Sequence, residues 1–304
     1  MPARVGRVRR GVRFEGIAAI ALGALFARAA AAQVEEAARV AAQAAPAAAA
    51  APAQDAAPEA PVELLRRAFD RRYGADTHQQ MSLVLSSKGR EVQHQELEVV
   101  TKMENGQLRA FARFTAPPDL RDTALLVLEQ EGRPDDYFLY LPALAKVRRV
   151  SGAQRSDSFM GTDLTYEDLE RRRVEDFEDL RVRQETVGGE AALGVNAHPR
   201  QPSGYERVEF AIAPGDATIL ETRYYARGAD APFKVIAFPR ASLHEEGGFS
   251  VPTRIAVANL KKDTRTEVTV ESLELNPKLD LRLFTTNALM REAELSSKHP
   301  GGAK

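Results

Sequence analysis

"ELEVVTKMENGQLRAFARFT", residues Glu96–Thr115, reads as two extended arms joined by a turn. In the second arm Leu108, Ala110, Ala112 and Phe114 share one face, with Gln107, Arg109 and Arg113 opposite, a period of two that a helix does not show. Asn105-Gly106 supplies the residues that tolerate the positive φ of a tight hairpin. The fold therefore starts from antiparallel pairing.

Working outward, the same texture continues. "TALLVLEQ", "DYFLYLP", "YERVEFAIA", "TILETRYYAR", "FKVIAFPR", "VPTRIAVANL" and "TRTEVTVESLEL" follow, separated by turn residues such as Pro214-Gly215-Asp216, Arg227-Gly228 and Lys262-Asp263. Val208, Phe210 and Ile212 alternate in one of these runs and Val268 and Val270 in another, so all five, with Leu108 and Phe114, are expected to be buried. Strands follow strands without βαβ alternation, which predicts one antiparallel meander of mainly β, α+β type. A sheet of that size curls. Ahead of it, "PVELLRRAFDRRYG" predicts a helix from Pro61, with Val62, Leu64, Leu65 and Phe69 as its apolar stripe.

One connection stands apart. "YLPALAKVRRVSGAQRSDSFMGTDLTYEDL", Tyr140–Leu169, leaves a strand through Arg148 and Arg149 and ends on a short acidic helix. The two arginines are expected to fix the loop by bonding Asp157, Asp163 or Asp168, while Phe159, Met160 and Tyr166 give it an apolar edge. Two readings stay open: a flap at the rim of a ligand cavity, or a loop pinned only for packing. The following "DLTYEDLERRRVEDFEDL" is expected to be a charged outer face with ordinary ion pairing.

The N-terminus has Arg4, Arg7, Arg9, Arg10 and Arg13 ahead of the apolar run Gly16–Ala27 and the small residues ending near Ala32. That pattern predicts a cleaved export signal over 1–32 and a periplasmic location, the apolar run being shorter than the roughly 20 residues that span a bilayer. The Ala- and Pro-rich stretch 33–60 is expected to be a disordered tether, 61–292 the folded domain, and 293–304 a disordered tail. Residues 1–32 hold six Arg and one Glu, so the remainder carries 36 basic against 42 acidic residues, a net charge of −6. A nucleic-acid partner is not expected.

Chemistry is sparse. The chain has no Cys, hence no disulfide, thiolate metal site or thiol nucleophile. His78, His94, His198, His244 and His299 form no ligand-spaced pair, so no metal or cofactor is expected. Ser151, Ser156 and Ser158 lie near Asp157 without a nucleophile elbow, and no catalytic residue is assigned.

The Tyr140–Leu169 loop, the strand "ILETRYY", the segment Gly248–Arg254 (GFSVPTR) and the closing Leu275-Asn276-Pro277 and Leu283-Phe284-Thr285 together resemble the outer membrane lipoprotein-sorting proteins, relatives of the LolA and LolB carriers. The resemblance runs over roughly Pro61–Glu292. It implies a half-open barrel of about eleven antiparallel strands covered by helices. It also implies a non-enzymatic, monomeric carrier of lipid or lipoprotein acyl chains. The other functions considered are an accessory subunit of a resistance-nodulation-division (RND) type inner-membrane transporter without cargo of its own, and an envelope lipid hydrolase. On the carrier reading, Leu108, Phe114, Phe159, Met160, Tyr166, Val208, Phe210, Ile212, Val268 and Val270 are the cavity or rim candidates. Replacing Phe159 and Met160 by Ser is then expected to weaken lipid retention while changing stability little.

Overall fold

The Glu96–Thr115 hairpin lies within β2 (Arg90–Glu104) and β3 (Gln107–Ala116), whose register sets Met103 opposite Leu108 and Leu97 opposite Phe114. The computed structural model describes residues 60–291; the export signal, nearly all of the tether and the tail expected from the sequence lie outside them. The remaining strands are β1 (Thr77–Ser87), β4 (Ala124–Leu128), β5 (Asp136–Leu141), β6 (Lys146–Arg149), β7 (Phe177–Val187), β8 (Glu190–Pro199), β9 (Arg207–Ile212), β10 (Ile219–Tyr225), β11 (Lys234–Ala237), β12 (Leu243–Glu246), β13 (Phe249–Pro252), β14 (Arg254–Asn259) and β15 (Thr264–Leu275).

Thirteen of these form one sheet in the order β6-β5-β4-β3-β2-β1-β15-β14-β11-β10-β9-β8-β7, with β12 and β13 as a separate hairpin. All its pairings are antiparallel, and the sheet is not closed: β6 and β7 are its two edges. Consecutive in sequence, these edges stand at opposite ends of the sheet. The chain between them, residues 150–176, crosses the sheet's face as a strap with only short 3-10 turns.

The sheet curls around that strap. Lys234 of β11 binds Asp168, and Glu129, just after β4, binds Arg171. In a flat sheet those strands would stand about 29 Å apart, at ~4.8 Å per strand spacing. Asp168 and Arg171 are only three residues apart in sequence, so one short span of the strap ties both strands.

Helix α1 (Pro61–Arg72) has Pro at its first turn and buries Leu64, Leu65, Ala68 and Phe69. Val62, expected in that stripe, is exposed, because the helix lays only one side on the sheet. The Phe69 ring meets Phe210 edge-on at 5.2 Å, and Val195, Val208 and Ile212 complete this core. Over the other half of the same face, the strap takes the place of a helix. Phe159 and Tyr166 pack among Leu83, Leu97, Phe114, Tyr137 and Val268, and Ile255 touches both clusters. One helix and a largely irregular strap therefore cover the sheet, rather than a set of helices.

The opposite face of β2–β5 is also covered. Phe284, Ala288 and Leu289, in or next to the short helix α2 (Thr286–Leu289), pack on Val100, Phe111 and Leu126. Arg113, placed by its alternation on a polar face, is only 6% exposed there. Its guanidinium donates to the Ala288 and Leu289 carbonyls at 3.2 Å each, satisfying groups that a helix C-terminus leaves open.

Candidate functional site

The strap is built from two parts. Its base, Thr165–Arg173, holds a buried ionic network, contrary to the outer charged face expected of these residues. The Glu167 and Asp168 side chains are 2% and 0% exposed. Asp168 accepts from the Lys234 amine, from the Tyr205 hydroxyl at 2.8 Å and from the Thr165 backbone N–H at 2.7 Å. Glu167 accepts from the Ser203 hydroxyl at 2.5 Å and the Gly204 N–H at 2.9 Å. Arg155 grips Glu170 with two bonds of 2.8 and 2.7 Å, and Glu129 takes Arg171 and Arg173. A charge removed from water needs such partners, since its desolvation costs several kcal/mol. Close packing backs them: a Cβ on Gly204 would come within 2.8 Å of the Ser156 hydroxyl.

Burial pulls the Lys234 amine below its ordinary pKa, and Asp168 opposes it. The same burial, with Asp168 nearby, pushes the Tyr205 hydroxyl up, so it stays protonated as a donor. The amine also lies over the Tyr205 and Tyr224 rings, 4.6 Å from each centroid.

The tip of the strap, Ser156–Leu164, is held by hydrogen bonds and by rings. Phe159 lies 5.7 Å from both Phe114 and Tyr166, and Tyr166 meets Tyr137 edge-on at 6.2 Å. Gln95 of β2 donates to the Met160 carbonyl at 2.9 Å, and Asp163 accepts from the Thr264 and Thr266 hydroxyls at 2.5 and 3.0 Å. Between the tip and the ends of β9, β11 and β14 lies a pocket of about 310 Å³, at the small end of ligand pockets. Leu164, Tyr205, Phe233 and Ala226 give it apolar walls, and Lys261 and Lys262 stand in its lining.

The expected loop-fixing pairs differ from those observed. Arg149 bonds Asp136 of β5, shared with Arg133, and both Arg148 and Arg149 are exposed on the edge strand β6; Arg148 stands opposite Leu139 on the strap's face, near Tyr166, without an ion pair to the expected carboxylates. Asp157 is exposed, Asp163 turns to threonines and Asp168 to Lys234. Arg155, Arg171 and Arg172 do what Arg148 and Arg149 were expected to do. Of the cavity candidates, Phe114, Phe159, Tyr166 and Val268 come together under the strap, with Met160 partly buried beside them. Val208, Phe210 and Ile212 lie apart, beneath α1. Leu108 and Val270 are only half-buried: Leu108 sits beside the Asn105-Gly106 turn, and Val270 faces Met81 at a register shift in β1. Phe159 is core rather than rim, so its replacement by Ser must cost stability as well.

Lys234, Tyr205 and Phe233 were not among the candidate site residues, and Glu167 was expected on a charged outer face. A single Lys inside the apolar run "FKVIAF" was the one signal that a buried partner awaited it. Among the described residues, no three His, Asp or Glu side chains are placed to share a metal ion.

A family model described as "Uncharacterized protein" matches residues 106–291. No curated protein matches the chain. Among solved structures, a domain described as an outer membrane lipoprotein-sorting protein from Vibrio parahaemolyticus superposes with a TM-score of 0.70 at 23% identity, covering 76% of this chain and 98% of that one. A DUF1329 family protein from Desulfovibrio piger gives 0.69 at 23% identity, over 75% and 97%. A LolA superfamily protein from Nitrosomonas europaea gives 0.59 at 16% identity, over 74% and 97%. The chain belongs to the family matched over residues 106–291, and its open antiparallel sheet is the LolA-like fold shared with these solved structures.

Proposed function

We propose that this protein is an exported, non-enzymatic carrier in the cell envelope that accepts an acyl chain of a lipid or lipoprotein between the strap and the sheet. The observation that carries this reading is the pocket of about 310 Å³ beside the strap tip, with Leu164, Tyr205 and Phe233 among its walls. Among the described residues, no helix is long and apolar enough to cross a membrane.

The strap suggests an exchange of like for like. Its base is locked by buried ion pairs, whereas its tip is held by rings and hydrogen bonds, with no ion pair at Asp163 among the described residues, so the tip is the part that yields. Fully burying a ~16-carbon chain would give roughly 12 kcal/mol gross, at about 0.8 kcal/mol per CH₂. A carrier retaining all of that would release its cargo slowly. Expelling Phe159 costs about 1.5–3 kcal/mol of its own burial, and the small pocket admits only part of a chain. Both effects bring the net affinity into a reversible range. Ser158 donates to the Thr162 carbonyl at 2.6 Å, and the Lys234 amine is committed to Asp168 and Tyr205, which supports structural rather than catalytic duties for them.

The test is mass spectrometry of lipids extracted from protein isolated without detergent, together with uptake of a fluorescent fatty acid. Acyl species bound near one per protein are expected. Empty protein that also refuses the probe would remove the carrier reading. It would leave the second one, an accessory module docking on an RND-type inner-membrane transporter, which the ring-filled face beneath the strap favours because that face is then simply core.

A further inference from the structure

We infer that the pocket beside the strap tip selects an anionic single-chain amphiphile, its charged head at Lys261 and Lys262 and its chain against Leu164, Tyr205 and Phe233. This deepens the carrier reading and rests on it.

Charge and placement carry the inference. Without residues 1–32 the chain is acidic, with a net charge of −6, so a cationic mouth runs against its general balance. Lys261 and Lys262 occupy the exposed turn between β14 and β15, and among the described residues no carboxylate pairs with either. The turn is ordered, since Asn259 accepts the Lys262 backbone N–H at 3.1 Å. Lys234 also reaches the pocket wall, but Asp168 balances its charge. Asp163 is the remaining carboxylate of the lining, and both its oxygens are turned to the threonine hydroxyls of β15. Asp263 follows in the turn but lies outside the lining. Two free cations thus outnumber one occupied carboxylate.

The walls decide what the anion is attached to. Leu164, Phe233 and the Tyr205 ring offer apolar surface within the same pocket, which a free inorganic ion cannot use. A cationic or zwitterionic head would place its ammonium beside two lysines, a like-charge contact that excludes wrong partners more strongly than it rewards right ones. Chain burial supplies the affinity and the lysines supply the choice.

The experiment compares dodecyl phosphate, dodecyltrimethylammonium and inorganic phosphate by calorimetry, below micelle formation, on the wild-type protein and on the Lys261→Glu/Lys262→Glu variant. The wild type is expected to bind dodecyl phosphate at least about tenfold more tightly than the ammonium analogue, with the preference shrinking as salt rises. The variant should lose about tenfold for the phosphate amphiphile and nothing for the ammonium one. Both changes lie on an exposed turn, and thermal unfolding verifies the fold. Equal affinity for the two amphiphiles would overturn the inference and leave the carrier reading standing. Inorganic phosphate binding as tightly as dodecyl phosphate would also overturn it, making the site a simple anion site. If neither amphiphile binds the wild type, the inference and the carrier reading fall together.

Discussion

Lys234 and Asp168 are joined in a pair almost wholly removed from solvent, and that pair fastens the strap's base to a strand of the far half-sheet. A buried charge left alone is far costlier than the pair. Lys234→Met should therefore lower stability by about 3–5 kcal/mol. Adding Asp168→Asn should restore a good part of it, since the amide keeps an acceptor for the Tyr205 hydroxyl. Urea unfolding of both variants checks this; a double variant no better than the single would deny the coupling.

Asp135 carries a pH dependence of definite sign. Burial first, then the nearby carboxylates Glu170 and Glu129, push its carboxyl up to about 7, against the bond it accepts from the Gln130 N–H. The folded state then keeps this proton longer than the unfolded chain does. Its contribution to stability falls as pH rises from about 4 to about 7 and is level above that. Asp135→Asn should gain on the order of 1–2 kcal/mol at about pH 8 and little at about pH 4. Equal gains at both pH values would show that the carboxyl titrates normally.

A cross-link tests the yielding tip. The Asp163 backbone N–H lies 2.9 Å from the Thr266 hydroxyl, so Asp163→Cys with Thr266→Cys brings two thiols within bridging range in a chain otherwise free of cysteine. The oxidised form should refuse a fluorescent fatty acid and regain uptake on reduction. Unchanged uptake when locked would mean that the tip stays put.

Gly74 fixes how α1 meets the β12–β13 hairpin. Its φ is +148°, and a Cβ there would lie 2.4 Å from the Phe249 ring. Gly74→Ala should cost about 1–3 kcal/mol, with partial recovery when Phe249→Ala is added. Calorimetric melting of the two variants decides it.

The strands were legible because alternation is a local signal: Glu96–Thr115 shows its pairing without reference to anything distant. The antiparallel class and the helix at Pro61 followed from similar short-range cues. The strap was not legible in the same way. Its residues pair over long separations, with Asp168 taking Lys234 and Asp163 taking Thr266, and no spacing rule connects them. Arg148 and Arg149 drew attention by adjacency, but neighbours on a strand face opposite sides: Arg149 took Asp136, and Arg148 stayed exposed. The ERRR cluster looked like surface because charge usually is; a curled sheet wraps that charge instead. Arg113 was misplaced for a related reason, since Phe284 to Leu289 cover a face that its own strand would leave open.

The middle of the sheet joins β1 to β15, with Thr77 opposite Leu275 and Ser87 opposite Thr264. Its central seam is therefore sewn by the two ends of the domain. A ribosome delivering this chain from its N-terminus releases β1 first and β15 last, so β1 waits with one side bare until every other strand of the sheet has emerged. Pairings this distant form slowly. The seam is thus the last part of the sheet that the chain's own wiring lets close.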